Sequence, residues 1–495
     1  MRTMTETAKK KRGMPSSFTI LLLLLAIVAV ITVVVSGMSG GAVTAARLSD
    51  FFTAPVKGFA DALPVCLFVM ILGGFLGMMT ETGALDNGIA VLVKKLKGNE
   101  IMLVPVLMLI FSLGGTTYGM CEETVPFYAL LAATMMAAGF DPMVGAATVL
   151  LGAGCGCLGS TVNPFAVGAA VDALTGVGIE VNQTIIIGLG AVLWLVTTAI
   201  SIAFVMNYAK KVKADKGSTI LSMQELQAAE EAHGKAASEV TKDVKLTGRQ
   251  KGVLIAFAFT FVVMIIGFIP LADLNEGVAN FFDAGAVYDA DGNAITQGWS
   301  AIITGLPIGQ WYFDEASTWF FIMAIVIGVI GGLSEKKIVD TFITGAADMM
   351  SVVLIIALAR GISVLMASTG LDVYVLDAAA NALAGLSGVI FAPMSFLVYF
   401  GLSFLIPSTS GMATVSMPIM GPLAAELGFA PEVMVMIFSA AIGVVNLFTP
   451  TSGAIMGGLA LAKIEWTTWV KCAIKLIVVL SVVCAVILTV ACVMI

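Results

Sequence analysis

The sequence predicts an all-α polytopic membrane protein of two inverted repeats, each with a re-entrant hairpin and a broken transmembrane helix. Three observations predict it. The 495 residues are 59% hydrophobic and 12% charged, a balance foreign to soluble enzymes. One set of motifs occurs twice at a constant spacing. Lys and Arg are crowded into one long loop and missing from another.

The apolar stretches 18–36, 62–79, 185–206, 252–269 and 471–494 are long enough, or nearly so, to cross a hydrocarbon core of about 30 Å. The first follows Lys9-Lys-Lys-Arg12 and is read as a retained helix after a cytoplasmic tail (1–17), because it is too long for a signal peptide and lacks a small-residue cleavage site. Gly58, Asp61, Met79, Thr82 and Gly83 recur as Gly345, Asp348, Met366, Thr369 and Gly370, each 287 positions later (58 to 345). Thr116-Thr117 then matches Ser408-Thr409-Ser410, Gly139-Phe-Asp-Pro142 matches Gly428-Phe-Ala-Pro431, and Gly159–Pro164 matches the run from Phe448 to Gly453. A duplicated membrane unit with polar, Gly/Pro-rich interruptions at corresponding places is the signature of a secondary transporter. The first repeat spans 18–206 and the second 252–495, joined by a loop, 207–251.

Charge sets the orientation. The loop 207–251 carries Lys210, Lys211, Lys213, Lys216, Lys235, Lys242, Lys245, Arg249 and Lys251. The loop 270–316 carries no Lys or Arg, but has Asp273, Glu276, Asp283, Asp289, Asp291, Asp314 and Glu315. The positive-inside rule places 207–251 in the cytoplasm and 270–316 in the periplasm. With 101–139 as a hairpin and 143–175 as one crossing broken near 158–164, every Lys and Arg except Arg47, Lys57 and Arg360 falls on the cytoplasmic side. Residues 101–113 would reach about 20 Å as a helix before Gly-Gly-Thr-Thr, short of a full crossing, so this arm is expected to end inside the membrane. A second hairpin, 388–427, opens to the opposite side, and 433–462 is the second broken crossing. The stretch 84–98, with Lys94, Lys95 and Lys97, reads as an amphipathic helix at the cytoplasmic interface.

Non-helical backbone survives at membrane depth only within protein or against a watery cavity. Four such stretches are expected: 114–123, 158–164, 407–411 and 446–453. Helix ends exposed there favour anions at their N-termini and cations at their carbonyl ends. Thr116, Thr117, Ser160, Thr161 and Asn163 form one polar cluster; Ser408, Thr409, Ser410, Asn446, Thr449, Thr451 and Ser452 form its counterpart. Among these oxygens Ser160, Thr161, Asn163, Asn446 and Thr449 are the candidate Na⁺ ligands, with Na⁺ or H⁺ as the coupling ion and no other cofactor.

Intramembrane charges are costly, on the order of 3 kcal/mol each on insertion scales, and mark function by default. Glu122 and Glu123 stand at the mouth of a helix, and their counterparts are Thr414 and Val415. They either receive a cationic substrate group, are protonated during transport, or cap the following helix. Arg360, whose counterpart is Gly73, either receives a substrate carboxylate or pairs with a buried acid such as Glu122. Asp61 and Asp348 are expected to N-cap helices. The seven cysteines lie in apolar segments and Cys155-Gly-Cys157 reads as packing. The single histidine, His233, lies in the hydrophilic loop, so neither a histidine metal site nor an intramembrane histidine relay is expected.

The run Gly114-Gly-Thr-Thr-Tyr-Gly-Met-Cys-Glu-Glu-Thr-Val-Pro-Phe127, followed by Gly159-Ser-Thr-Val-Asn-Pro-Phe165, resembles the YfcC-like branch of the C4-dicarboxylate anaerobic carrier family, grouped with the ion transporter superfamily. The resemblance covers the chain from helix 18–36 onward. It implies a multi-pass protein of the bacterial inner membrane with a cytoplasmic N-terminus, usually a homodimer, in which a transport domain moves past a scaffold as an elevator. It also implies that hairpin tips and helix breaks, by position 115–123, 408–412, 159–164 and 446–453, enclose substrate and coupling ion. The superfamily's hairpin Ser-Asn-Thr motif is replaced here by Thr116-Thr117 and Ser408-Thr409-Ser410.

For the substrate, Glu122 and Glu123 against one Arg360 favour a basic amino acid such as arginine or ornithine, the cargo commonly ascribed to YfcC-like members, with a C4-dicarboxylate or other small carboxylate as the alternative. The expected substrate-binding residues are Thr116, Thr117, Glu122, Glu123, Asn163, Arg360, Ser408, Thr409, Ser410, Thr451 and Ser452. An enzyme would need a nucleophile–base pair or a metal cluster, and a channel would need rings of charge along a pore; neither pattern occurs. The expected partners are the small-molecule substrate, the lipid bilayer and a second copy, with no nucleic acid.

Overall fold

A computed structural model describes residues 17–85, 87–88, 91, 99–239, 245–269, 271, 276–288, 294–406 and 408–495. Most of the stretch 84–98, the proposed interfacial helix, lies outside the described residues, as does nearly all of the tail 1–17. The rest is almost wholly helical. In order these are α1 (Ser17–Ser36), α2 (Leu48–Asp61), α3 (Leu63–Glu81), α4 (Leu103–Tyr118), α5 (Val125–Ala137), α6 (Pro142–Leu158), α7 (Ala169–Thr175) and α8 (Gln183–Ala214). There follow α9 (Met223–Glu239), α10 (Gly248–Phe268), α11 (Glu276–Phe282), a two-stranded ribbon of β1 (Val287–Tyr288) and β2 (Ala294–Thr296), α12 (Phe313–Gly331), α13 (Glu335–Asp348) and α14 (Met350–Thr369). The last are α15 (Leu371–Leu383), α16 (Gly388–Leu405), α17 (Thr409–Glu426), α18 (Pro431–Val445), α19 (Gly453–Leu461) and α20 (Trp466–Met494).

Among the described residues eight helices are long and apolar enough to cross a membrane, so the chain is a polytopic membrane protein. Local chemistry marks the ends of its helices. Asp141 accepts the Val144 N–H and Pro142 opens α6, the favoured order at a helix start. Thr247 and Gln250 form a capping box on α10, and left-handed Gly332 and Gly370 end α12 and α14.

The helices pack as two bodies. In the first, α2 lies on α14 and α3 lies on α13 and α12, with α1 and α10 alongside. Close backbone approach makes these contacts: a Cβ on Gly58 would strike Ala357 O and Gly361, and one on Gly345 would strike Gly73 O and Gly74. Small residues of this kind let membrane helices meet by packing alone. Phe68, Phe75, Phe261 and Phe320 fill the remaining space edge to face, with Phe257 stacked on Phe75. In the second body α6 and α18 pack together at the centre, with α4, α5 and α8 around α6 and α16, α17 and α20 around α18. Tyr118 stacks on Phe268 and Phe165 on Phe313 where the bodies meet.

Two expectations change. Residues 114–118 are helical and α4 runs through Gly114-Gly-Thr-Thr to Tyr118; with the 3₁₀ turn Glu100–Met102 this segment is one of the eight candidate spans. Glycine is tolerated there because Gly115 and Gly156 must pass backbone to backbone, a Cβ on either striking the other helix. At 19 residues, Glu100–Tyr118, this arm is long enough to cross, so its length does not require it to end inside the membrane. Asp61 and Asp348 end α2 and α13 instead of starting α3 and α14, and the residues that do precede those helices, Ala62 and Met349, make no side-chain cap. The segment 207–251 also holds helix, since α8 runs on to Ala214 and α9 follows. His233 sits on α9, which packs against α5; its Nε2 lies 3.1 Å from Leu461 O, and Glu225 accepts the Glu465 N–H at 2.9 Å.

Candidate functional site

A cavity of about 160 Å³ lies where the two bodies meet. The first body lends Ala62, Val65, Phe313, Ile356 and Arg360; the second lends the turn after α4, the breaks after α6 and α18, and the turn before α17. Among the described residues that line it, Arg360 is the one cation and Glu122 the one anion.

Backbone geometry builds this wall. Gly119 ends α4 in the left-handed conformation at φ +80°, and a Cβ there would lie 2.5 Å from Asn163 Oδ1. Only glycine takes that conformation and that approach without cost. The chain then forms a 3₁₀ turn, Glu122–Thr124. That turn aims Glu122 into the cavity and leaves Glu123 behind the wall, 1% exposed, where it accepts the Cys121 N–H at 3.0 Å. The two acids thus part company. Arg360 projects from the middle of α14, and its Nε lies 3.0 Å from Asp61 Oδ2.

The two helix breaks are unlike each other. After α6 the polar groups satisfy one another: Thr116 Oγ1 donates to Gly159 O at 2.7 Å, Thr161 Oγ1 to Thr116 O at 3.0 Å, and Ser160 Oγ to Cys157 O at 2.6 Å. Asn163 donates to Ser160 Oγ at 2.9 Å and accepts the N–H groups of Phe165 and Ala166, capping the π-helical turn Pro164–Gly168. After α18, Thr449 and Thr451 share one hydroxyl bond of 2.6 Å, Ser452 precedes α19 without a side-chain cap, and Asn446 Oδ1 is buried with no partner. Ser408 caps α17 through the Gly411 N–H.

Of the residues singled out from sequence, Glu122, Asn163, Arg360, Ser408, Thr409, Ser410, Asn446, Thr451 and Ser452 line the cavity. Thr116, Ser160, Thr161 and Thr449 lie behind the wall in the bonds just described, and the Thr117 hydroxyl turns back to Leu113 O at 2.7 Å. Sequence reasoning missed the aromatic walls, Tyr128, Phe165 and Phe313, which carry no pattern apart from ordinary core residues. It also missed Asp61 as the partner of Arg360, although the recurrence of that acid at 348 was a usable signal. Cys155 bonds Ser201 Oγ and Cys157 points to Met120 O, in keeping with packing.

A second cavity, about 710 Å³, lies between α3, α13 and α5, lined by Gly73, Glu81, Lys337, Asp340 and Asp348 among others. Although larger, it gathers no broken-helix ends, and Lys337 is paired with Glu81 at 3.1 Å. The smaller cavity is therefore the candidate site.

A sequence model of the C4-dicarboxylate anaerobic carrier family matches residues 38–493. An uncharacterised protein of Haemophilus influenzae is 30% identical over 86% of this chain and 74% of its own length. A putative basic amino acid antiporter, YfcC, of Escherichia coli K12 is 26% identical over 83% of this chain and 74% of its own. Among solved structures, the Neisseria gonorrhoeae MtrF antimetabolite efflux pump aligns at a TM-score of 0.44 and 17% identity, covering 98% of this chain and 96% of that one. The Alcanivorax borkumensis YdaH transporter aligns at 0.46 and 16%, covering 95% and 97%.

Proposed function

The chain belongs to the C4-dicarboxylate anaerobic carrier family, and from that premise we propose that it is an elevator-type secondary carrier whose cavity takes a small carboxylate, a C4-dicarboxylate first, through Arg360. Secondary transport across a membrane, and not catalysis, follows from the family; substrate, movement and coupling belong to this reading. The match over residues 38–493 backs the carboxylate better than the basic amino acid preferred from sequence, since the latter description belongs to a relative 26% identical.

The carrying observation is Arg360, the one cation among the described residues of the cavity wall. A guanidinium presents a planar fork of donors that matches a carboxylate. A second reading rests on Glu122, which shares that wall: an amino acid with a cationic side chain would place its carboxylate on Arg360 and its cation on Glu122.

The coupling ion is assigned to the second break. Asn446 Oδ1, buried and unpartnered, is a hard oxygen suited to Na⁺, whereas the oxygen and amide of Asn163 are already engaged. Two reciprocal contacts support the repeat. Gly58 meets Gly361 while Gly345 meets Gly74, the same pair exchanged between halves, and Cys66 Sγ lies 3.9 Å from the carbonyl of Val353, 287 residues on. A residue touching its own counterpart lies on a twofold axis. In this reading the first body is the scaffold and the second the moving part, its first hairpin turning at 119–121 and its second ahead of Thr409. The protein sits in the inner membrane as a homodimer with its N-terminus in the cytoplasm.

Uptake into liposomes holding the purified protein tests the reading. Labelled succinate and labelled arginine are each supplied with a Na⁺ gradient alone or a pH gradient alone. Saturable succinate uptake driven by Na⁺ is expected; saturable arginine uptake without succinate uptake moves the assignment to the second reading.

A further inference from the structure

Asp61 is an acid in a poor place for its own helix. It is the last residue of α2, where the helix dipole disfavours negative charge. Its side chain is 52% exposed, and the neighbouring Ala62 and Val65 line the cavity. Among the described residues its one salt-bridge contact is with Arg360 Nε, through Oδ2 at 3.0 Å. Among the described residues the guanidinium makes no other contact with a protein acceptor. Engagement through Nε leaves the fork of the two Nη groups free, the edge that grips a carboxylate with two hydrogen bonds.

Asp61 and Arg360 belong to the same body, because α2 is locked onto α14 where Gly58 meets Ala357 and Gly361. Movement of the second body past the first does not open this pair, so it is no latch between the two. Symmetry supplies the control. Asp348 ends α13 as Asp61 ends α2, but the residue answering to Arg360 is Gly73, whose missing side chain lets the backbone of Gly345 come close. The corner acid is common to both halves; the arginine beside it is private to one.

We propose that Asp61 is the charge-tuning residue of the carrier: it holds Arg360 by Nε, aims the Nη fork into the cavity, and offsets part of the arginine's charge, which sets how strongly each further negative charge on the cargo is drawn in. This rests on Arg360 being the carboxylate receptor. An exposed pair held by one oxygen is weak, so its contribution lies in orientation and charge and not in holding the fold. Removing the negative charge strengthens the attraction of the cavity for each further negative charge on the cargo.

The experiment is competition for uptake by pairs differing in one charge, succinate against succinamate and arginine against citrulline, measured on whichever labelled substrate the protein carries. Asp61→Asn is expected to shift the inhibition ratio about tenfold toward the more anionic member of each pair, and Asp61→Ser to do the same. Asp61→Glu is expected to keep the native ratio, and Asp348→Asn to leave it unchanged. Unchanged ratios in both neutral Asp61 variants with uptake retained would overturn the inference, as would an equal shift in Asp348→Asn. If neither neutral variant folds while Asp348→Asn does, Asp61 is structural and the inference fails. Arg360→Ala separates the two claims: if it transports normally, the receptor reading itself is wrong, whatever Asp61 does.

Discussion

The two helix breaks carry nearly the same polar residues and use them in opposite ways. After α6, Thr116, Ser160, Thr161 and Asn163 close on one another, and the tip of α4 is stitched to the break by main-chain bonds from Thr161 N and Val162 N to Thr116 O. After α18, Asn446 keeps a buried oxygen unpartnered and Ser452 caps nothing. A buried polar atom without a partner costs free energy; Asn446 Oδ1 carries that cost at the second break, and for that reason the proposed coupling-ion site lies there. The two polar clusters stand at matching places in the sequence, and at the second Asn446 keeps its buried oxygen unpartnered.

Substitutions can break that contrast. The largest effect is expected at Asn446: Asn446→Leu removes the open oxygen and should weaken the apparent Na⁺ affinity of uptake by about 100-fold, roughly 2.7 kcal/mol, with little change in thermal stability. Flux measured against Na⁺ concentration checks it, and an unaltered Na⁺ dependence would take the ion away from the second break. Asn163→Ala should do the reverse, costing about 2 kcal/mol of stability through the lost cap and its bond to Ser160 while changing Na⁺ dependence little. Thermal unfolding in detergent reads it. Thr116→Val, which removes the hydroxyl donated to Gly159 O, should cost about 1 kcal/mol by the same assay.

The smallest effect lies outside the spans. Burial pushes the His233 imidazole below its ordinary value of 6.5, so the folded protein prefers the neutral ring, whose Nε2 donates to Leu461 O. Its contribution is complete above pH 6.5 and is lost as pH falls through the lowered folded value. The protection of α9 amides against hydrogen exchange, taken relative to the intrinsic rate at each pH, should therefore fall on acidification in the native protein, and His233→Gln should flatten that dependence.

Much of this frame was legible in the residues, and the exceptions have physical causes. The breaks at 158–164 and 446–453 announce themselves because Gly, Pro and Asn interrupt runs of apolar residues. Helix through Gly114-Gly115 was not legible, since glycine reads as a breaker until the backbone of α6 is known to press against it. Nor was α2, which carries Pro55 inside an amphipathic turn and ends on an acid; residue type suggested a cap at a start where packing made an end. Of the site, the polar clusters and both charges were visible as types. Which hydroxyls face the cavity was not, because residues such as Thr116 and Thr451 differ only in which neighbours the fold gives them. The parting of Glu122 from Glu123 came from one 3₁₀ turn.

The central claim is that the cavity is a carboxylate site anchored by Arg360. Isothermal calorimetry with the purified protein tests it most directly, titrating succinate and then arginine into the native chain and into Arg360→Ala. The account predicts saturable binding of succinate to the native chain and at least about tenfold weaker binding to the variant. Equal affinity in both proteins would contradict it.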